Sequence, residues 1–238
     1  AVSVAASAGI ACASEEAVFD AGIPCDGCPE ILSVDPPDGS VDVVTNPIIR
    51  FETNEHLDDL TVSGSAFELY SGPLSNWLMA YYDPVRRVTT VWPSSSLREN
   101  ADYVLEAQEG ITDRDGRPLA AGAVTRFTTG EDEGDDIPFP ERSYDPEIRS
   151  IFATECASCH GGASPLAGLS LDTAAGVTAT AIGIASDGDS AMDRITPARP
   201  GQSYLVYKTL GDPLVSGLAM PCSLDGEAPA EALTETEL

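Results

Sequence analysis

The residues with the clearest chemical potential form one short run, Cys156-Ala157-Ser158-Cys159-His160. Thiols three positions apart on a helix lie on the same side, and the imidazole that follows lies close to both. Cys-x-x-Cys-His is the spacing of c-type haem attachment. The thiols bond to the porphyrin vinyl groups, and the imidazole becomes the proximal iron ligand. We therefore expect Cys156, Cys159 and His160 to bind one covalent haem c.

Two other functions use a Cys-x-x-Cys pair, and both fit this run less well. A redox-active dithiol normally lies at a strand-to-helix turn without a trailing His. A zinc site requires a second pair of Cys or His at ligand spacing. We therefore favour haem attachment over both.

A helix must position the haem motif. Asp145 as N-cap, Pro146 at the first helical position and Glu147 in the first turn are typical of a helix start. Gly161-Gly162 is typical of a helix end. Between them, residues at helical spacing predict one apolar stripe that also carries both thiols: Ile148, Ile151, Phe152, Cys156 and Cys159.

The haem imidazole also needs an acceptor for its second ring nitrogen, which fixes the orientation of the ring. Pro165 follows His160 closely enough for its carbonyl to take this role.

Residues 146–238 resemble the class I-type monohaem cytochrome c domains of exported bacterial proteins. The resemblance implies a small all-α domain and one-electron transfer. In that family, a Met just before a Pro, on a loop well after the haem motif, is the sixth iron ligand. Met220, which precedes Pro221, has that position here. The matching residues are Ile151-Phe152, the haem motif with Gly161-Gly162, Leu169-Ser170-Leu171, Pro200-Gly201, the run from Ser203 to Lys208, and Met220-Pro221.

Other sixth ligands remain open at this point. Met192 lies on a plausible loop but has no following Pro. His56, the only other His, is expected in a surface loop and could reach the iron only by docking of domains or molecules. Met79 lies in a β-rich run and is expected in a core. An open sixth site is the remaining alternative.

Upstream of the haem motif, the chain changes to short β-rich runs separated by turn residues, the pattern of an all-β sandwich. The stretch from Val34 to Thr129, about a hundred residues with its flanks, resembles the bacterial Ig-like domains of surface and secreted proteins. Such domains are mostly spacers or adhesion modules, so the fold alone implies no chemistry. The predicted strand runs are 48–52, 60–63, 66–70, 77–82, 88–92, 103–107 and 124–128.

The chain is therefore predicted to be multidomain, with an all-β Ig-like sandwich and a small all-α cytochrome c domain. The predicted segments are a Cys-containing N-terminal segment (1–30), the sandwich (31–129), an acidic and Pro-rich linker (130–145) and the cytochrome c domain (146–238). Charge repulsion and proline in the linker favour an extended connection.

The cysteines outside the haem motif are Cys12, Cys25, Cys28 and Cys222, which allow three disulfide pairings. We expect structural disulfides, one of which could pin the Met220 loop through Cys222. Disulfides and haem c both indicate an exported protein, which is periplasmic, on the cell surface or extracellular. A lipid anchor at Cys12 is a weak further expectation.

The charge limits the partners. With 39 acidic and 12 basic side chains, the formal net charge is −27. Nucleic acids and anionic membranes are therefore excluded as partners. No apolar run is long enough for a transmembrane helix. We expect redox partner proteins with a basic docking patch.

The sequence predicts an electron carrier rather than an enzyme, because it shows no independent catalytic set of residues. Three alternatives remain: a peroxidatic or ligand-binding haem with an open site, an adhesion subunit, and a homo-oligomer or larger haem-bearing assembly. Thr234 and Glu237 predict the start of a helix at the last residues. A family member would continue there, so either the sequence is cut short or a partner supplies the cover.

Overall fold

A β-sandwich and a C-terminal unit of short helices make up the structure, a computed structural model. It describes residues 27–108, 110–120, 124–136, 138, 142–188, 191–213, 215–222 and 233. Cys12, Cys25, Thr234 and Glu237 lie outside these residues, so the predictions made for them are not addressed. None of the described helices is long and apolar enough to cross a membrane.

The described residues form nine strands in two sheets. One sheet has the order β1-β3-β7-β6 and the other β2-β9-β8-β4-β5. Neighbouring strands are antiparallel except β2 and β9, which run parallel. The strands are β1 (Ile31–Asp35), β2 (Ser40–Val43), β3 (Ile49–Thr53), β4 (Phe67–Ser71), β5 (Leu74–Asn76), β6 (Leu78–Asp83), β7 (Val88–Pro93), β8 (Asp102–Ala107) and β9 (Val124–Thr129).

Alternating side chains of the two sheets meet in one core. Tyr103 and Leu105 of β8 are buried, and so are Ile49 and Phe51 of β3. Aromatic rings add stacked pairs, with centroids 5.6 Å apart for Phe51 and Phe67. Strands with one face in a core must alternate in this way, which is why the pattern was visible in the sequence.

The sandwich prediction is confirmed, with two local errors. Residues 60–63 do not form a strand, because Asp58 terminates the extended chain. Its carbonyl accepts the Thr61 amide at 2.8 Å and its carboxylate accepts the Leu60 amide at 3.0 Å, so the chain turns. Strands β1 and β2 were not predicted, since they flank the turn around Pro36-Pro37 that dominates the local composition.

The first part of the predicted linker is attached to the sandwich instead of spanning open solvent. The Thr45 amide donates to the Asp132 carbonyl at 2.8 Å. The Asn46 side chain donates to the Gly134 carbonyl at 2.9 Å and accepts the Gly134 amide at 2.6 Å. These hydrogen bonds outweigh the charge repulsion among the acidic residues that had favoured an extended path.

The C-terminal unit contains α1 (Arg149–Ile151), α2 (Ala174–Thr180) and α3 (Tyr204–Leu210). Wider helical turns, Tyr144–Ile148 and Phe152–Cys156, extend α1 on both sides. Two small apolar clusters hold the unit together. One contains Leu171, Val177 and Ala181 with Phe152 and Cys156 against it, and the other contains Met192, Tyr207 and Val215.

Leu69 and Leu74 give a matched test of the sandwich core. Leu69 on β4 is fully buried, whereas Leu74 on the adjacent edge strand β5 is 56% exposed. We expect Leu69→Ala to lower the free energy of unfolding by about 2–5 kcal/mol, because it leaves a cavity in the core. Leu74→Ala should change it by less than about 0.5 kcal/mol. Urea unfolding followed by tryptophan fluorescence measures both. Equal losses would contradict this assignment of the core.

Candidate haem-binding site

The helical segment 144–156 begins as the sequence predicts. Asp145 is extended (φ −117°, ψ 117°), and the continuous helical run follows from Pro146. The Asp145 carboxylate accepts from Arg149 at 3.3 Å, and the Glu147 carboxylate accepts the Ser143 amide at 2.8 Å. Acidic groups in the first turn satisfy free amides and complement the helix dipole, so this start is stabilised locally.

The predicted stripe is present on this segment. Ile148, Ile151, Phe152 and Cys156 are half-buried, while the residues between them are mostly exposed. Phe152 and Cys156 pack against the cluster around Leu171. The apolar face that anchors the helix therefore also carries the first thiol.

The helical segment ends at Cys156, earlier than the predicted end at Gly161-Gly162. The Ala157 amide donates to the Phe152 carbonyl at 2.8 Å, a wider turn than in an α-helix. The Cys156 carbonyl then accepts the amides of Cys159 at 3.2 Å and His160 at 2.8 Å. Cys159 and His160 consequently lie on a tight turn after the helix.

A backbone carbonyl orients the His160 ring, but it is that of Leu166 and not that of Pro165. His160 Nδ1 lies 3.1 Å from the Leu166 oxygen, and the Pro165 oxygen accepts the Gly168 amide instead. The Leu166 amide donates to the Cys159 carbonyl at 3.0 Å, which places its own carbonyl one residue beyond the expected position. Since Nδ1 must donate to a carbonyl, Nε2 keeps the lone pair that can bind a metal.

Hydrogen bonds also hold the turn after His160. The His160 carbonyl accepts the Leu171 amide at 2.7 Å. The Asp172 carboxylate accepts the Gly162 amide at 2.9 Å and the Ser170 hydroxyl at 2.8 Å. These bonds, the one from Gly162 first, lower the pKa of Asp172. The carboxylate is therefore charged at neutral pH and fastens the chain beside the imidazole.

One cavity of about 590 Å³ collects the predicted site residues. Cys156, Cys159, His160 and Met220 all line it, and its surface is predominantly apolar. The apolar contribution comes mainly from Leu166, Ala167, Leu169, Leu171, Leu205 and Pro221. Volumes of about 300–1,000 Å³ with apolar walls and a few polar groups are typical of cofactor sites.

Helix α3 holds the Met220 loop. The Met220 amide donates to the Lys208 carbonyl at 2.8 Å. The Lys208 ammonium group donates to the Ser216 carbonyl at 2.9 Å and also to the Leu218 carbonyl. Three contacts to one residue of α3 therefore determine where this loop lies.

Cys222 does not form the predicted disulfide, because its thiol is free. Its sulfur lies 3.5 Å from the Met220 sulfur. Cys28, by contrast, is disulfide-bonded.

The two alternatives for the Cys-x-x-Cys pair find little support in the geometry. Cys156 and Cys159 are free thiols. Burial raises the pKa of Cys156 to about 11, so the thiolate that a redox dithiol needs is disfavoured. Among the described residues, no group of three His, Cys, Asp or Glu side chains could hold a metal ion, which argues against a zinc centre.

The alternative sixth ligands lie outside the cavity. Met192 is buried and its sulfur is 2.8 Å from Nη2 of Arg114. Met79, expected in the core, is on β6 and 51% exposed, so that prediction is wrong. Its strand alternates, and the adjacent positions face inward.

His56 is not in a surface loop as expected, because it is enclosed between the sandwich and the C-terminal unit. Its Nε2 lies 3.2 Å from the Asp212 carboxylate and its Nδ1 lies 3.3 Å from the Tyr82 hydroxyl. Burial lowers the pKa of His56, although the Asp212 charge acts in the opposite direction. Both ring nitrogens are therefore engaged away from the cavity.

Further contacts join the sandwich to the C-terminal unit. Arg199 donates to the Asp59 carbonyl at 3.1 Å, and Gln202 donates to the Asp58 carboxylate at 3.1 Å. Gly201 lies so close to the sandwich that a Cβ there would be 2.6 Å from the Asp59 Cβ. The sequence carried no signal for this interface, since its residues meet only after both parts have folded.

Comparisons with known proteins bear on the sandwich. Residues 26–129 match the model of a family described as a bacterial Ig-like domain. The match ends at the last residue of β9. The chain thus contains an Ig-like domain, and the C-terminal unit has to be interpreted from its own geometry. No curated protein matches the chain.

Solved structures similar to the chain include three exported or copper-related proteins by title. The surface layer protein SbsC (domains 1–6) is 14% identical with a TM-score of 0.34, covering 43% of this chain and 14% of that one. CopC from Methylosinus trichosporium OB3b is 13% identical with a TM-score of 0.35, covering 46% and 98%. PcoC, a methionine rich copper resistance protein from Escherichia coli, is 19% identical with a TM-score of 0.34, covering 42% and 97%.

This chain spans only 14–23% of the SbsC chains that it matches. Identities and TM-scores this low carry no functional argument.

Asp59 makes the contact between the two parts dependent on pH. Burial raises the pKa of Asp59 to about 6, with Asp58 adding to the shift and Arg199 opposing it. The folded state therefore binds a proton that the unfolded state releases, and stability falls as pH rises through this range. We expect the wild type to lose about 1 kcal/mol relative to Asp59→Asn between pH 5 and pH 7.5.

Thermal and urea unfolding at both pH values measure this difference. The titration of His56 occurs in both proteins and cancels in the comparison. A difference between the two proteins that stays constant with pH would contradict the assignment to Asp59.

Proposed function

We propose that this chain is an exported c-type cytochrome that transfers single electrons through one haem c in the cavity of the C-terminal unit. One observation carries the proposal: Cys156, Cys159, His160 and Met220 line the same cavity although the last is far along the chain from the others. Thiols, an imidazole and a thioether are together the donor set of a Met-ligated haem c.

The site fits the cofactor in chemistry, size and orientation. Cys156 and Cys159 would form the thioether bonds, His160 would be the proximal ligand and Met220 the sixth ligand. The cavity volume of about 590 Å³ and the predominantly apolar lining suit a porphyrin. When bound, the haem supplies reversible exchange of one electron at its iron.

The chain's own residues would bind and tune this group. The bond from His160 Nδ1 to the Leu166 carbonyl fixes the ring and raises the basicity of Nε2. The Met220 thioether is a neutral, soft ligand that favours the ferrous state and raises the reduction potential. Apolar walls exclude water and keep the local dielectric low.

Arg194 supports the imidazole loop from the opposite side. Its guanidinium group donates to the Ala167 carbonyl at 2.8 Å and to the Thr180 carbonyl at 2.9 Å. The side chain thus joins the loop after His160 to the end of α2. Such a scaffold reduces the reorganisation that accompanies electron transfer.

Export and partner class follow from three further features. An Ig-like domain precedes the site, Cys28 is disulfide-bonded, and the formal net charge is −27. Disulfides belong to oxidising compartments. A strongly acidic surface is suited to redox partners that present a basic patch. The protein is proposed as an electron carrier, not as an enzyme.

Association with further copies of the chain is a second candidate function, and one observation favours it. Trp77, between the edge strands β5 and β6, is 87% exposed, with Leu74 and Met79 more than half exposed beside it in sequence. Exposed apolar clusters at sheet edges are typical of interaction sites. Sedimentation of a dilute monomer, unchanged on raising the concentration, would argue against this function.

Met220→Ala tests the sixth ligand. We expect the wild type to be low-spin, with the weak red band of Met-ligated ferric haem. The variant should lose that band, and its reduction potential should fall on the order of 0.1 V, because a thioether that favours ferrous iron is gone. Absorption spectra of both oxidation states and a spectroelectrochemical titration measure these changes.

Met79→Ala is the matched control, since it removes an exposed methionine far from the cavity and should leave both readings unchanged. A low-spin wild type without the red band would point to another sixth ligand. A high-spin wild type would point to ligand-binding chemistry at an open site.

A further inference from the structure

Arg114 of the Ig-like domain reaches into the core of the C-terminal unit. Its guanidinium carbon lies 4.3 Å from the centre of the Tyr207 ring, and its Nη2 lies 2.8 Å from the Met192 sulfur. Tyr207 is fully buried and Met192 is 4% exposed. With Val215, these residues form one of the two apolar clusters of the unit. A cation from the sandwich thus completes the packing of that cluster.

The helix that receives Arg114 also faces the haem cavity. Tyr207 of α3 points to the sandwich, where the His56 ring meets it edge-on with centroids 5.5 Å apart. On the same helix, Tyr204, Leu205 and Lys208 line the cavity. Helix α3 is therefore a wall shared by the interdomain contact and the cofactor site.

The residue after Tyr207 fixes the loop of the proposed sixth ligand. The Lys208 carbonyl accepts the Met220 amide at 2.8 Å, and its ammonium group donates to the Ser216 and Leu218 carbonyls. A shift or rotation of α3 would carry this loop with it. The path from Arg114 to Met220 contains only two adjacent residues of α3.

Helix α3 needs outside support to stay in place. It has seven residues, and helices this short are not stable by themselves. Its own cluster contains only three buried side chains. The additional packing comes from the sandwich, through Arg114, His56 and the close approach of Gly201 to Asp59.

We propose that the Ig-like domain positions the sixth haem ligand, and that Arg114 is the positioning residue that acts on Met220 through Tyr207 and Lys208. The inference rests on the proposed function, because it assumes haem c bound by His160 and Met220. It assigns the sandwich a part in the redox site beyond that of a spacer. Without Arg114, the haem would stay covalently attached while its bond to Met220 weakens.

Arg114→Ala in the full-length haem protein tests the proposal. We expect the ratio of Met-ligated to Met-free ferric haem to fall about tenfold, the change expected for loss of a desolvated cation–π contact. The red Met-ligation band should shrink and the reduction potential should decrease, while the haem content stays that of the wild type. Arg114→Lys keeps the cation and should restore most of the band.

Arg126→Ala is the matched control. It removes an equal charge from an exposed strand position that is paired with Asp38, outside the interdomain contact. If Arg114→Ala does not fold, Gly201→Ala provides the test, because its Cβ pushes the sandwich away from the segment that leads into α3. It should reduce the Met-ligation band in the same way.

The outcomes separate the two claims. A wild type without covalent haem would overturn the proposed function and this inference together. A Met-ligated wild type whose band and potential are unchanged in folded Arg114→Ala, or in folded Gly201→Ala where that variant replaces it, would overturn the inference alone. A purely structural role would lower the unfolding temperature and leave the spectrum of the folded protein unaltered.

Discussion

The attachment of the Met220 loop to α3 is the constraint on which the proposed site depends. Local helix geometry delivers the two thiols and His160, but Met220 comes from a distant part of the chain. The loop is held by the bond between the Met220 amide and the Lys208 carbonyl and by the contacts of the Lys208 ammonium group. The geometry of the proposed sixth ligand is thus a property of tertiary packing, and so of everything that holds α3.

The packing around α3 crosses from one part of the structure to the other. Tyr207 and Met192 have no large core of their own to enter, and Arg114, His56 and Asp59 of the sandwich cover that side. Buried charged groups at such a contact cost free energy unless they are paired. The raised pKa of Asp59 is a sign of this cost. The contact gains its specificity from paired polar groups more than from apolar area.

Features that depend on local chain geometry could be predicted from the sequence. The start of helical segment 144–156 and its apolar stripe follow from Asp145, Pro146 and the spacing from Ile148 to Cys156. The sandwich core follows from the alternation around Tyr103 and Leu105. In each case, the residues that determine the structure are close neighbours in the chain.

The predictions failed where the outcome depends on contacts between distant residues. Leu166 replaces Pro165 as the acceptor because of a hydrogen bond from its amide to Cys159. His56 was expected in a surface loop, but Asp212 and Tyr82 enclose it. Cys222 has a free thiol beside Met220, although a disulfide was expected. None of these pairings leaves a periodic or compositional pattern that could be recognised beforehand.

The most direct test of the central claim is the intact mass of the denatured protein after expression in a host with haem-attachment machinery. The account predicts a mass higher than that of the polypeptide by one haem, and loss of that increment when Cys156 and Cys159 are both replaced by Ser. A protein that carries no haem after denaturation, although its Ig-like domain is folded, would contradict the account.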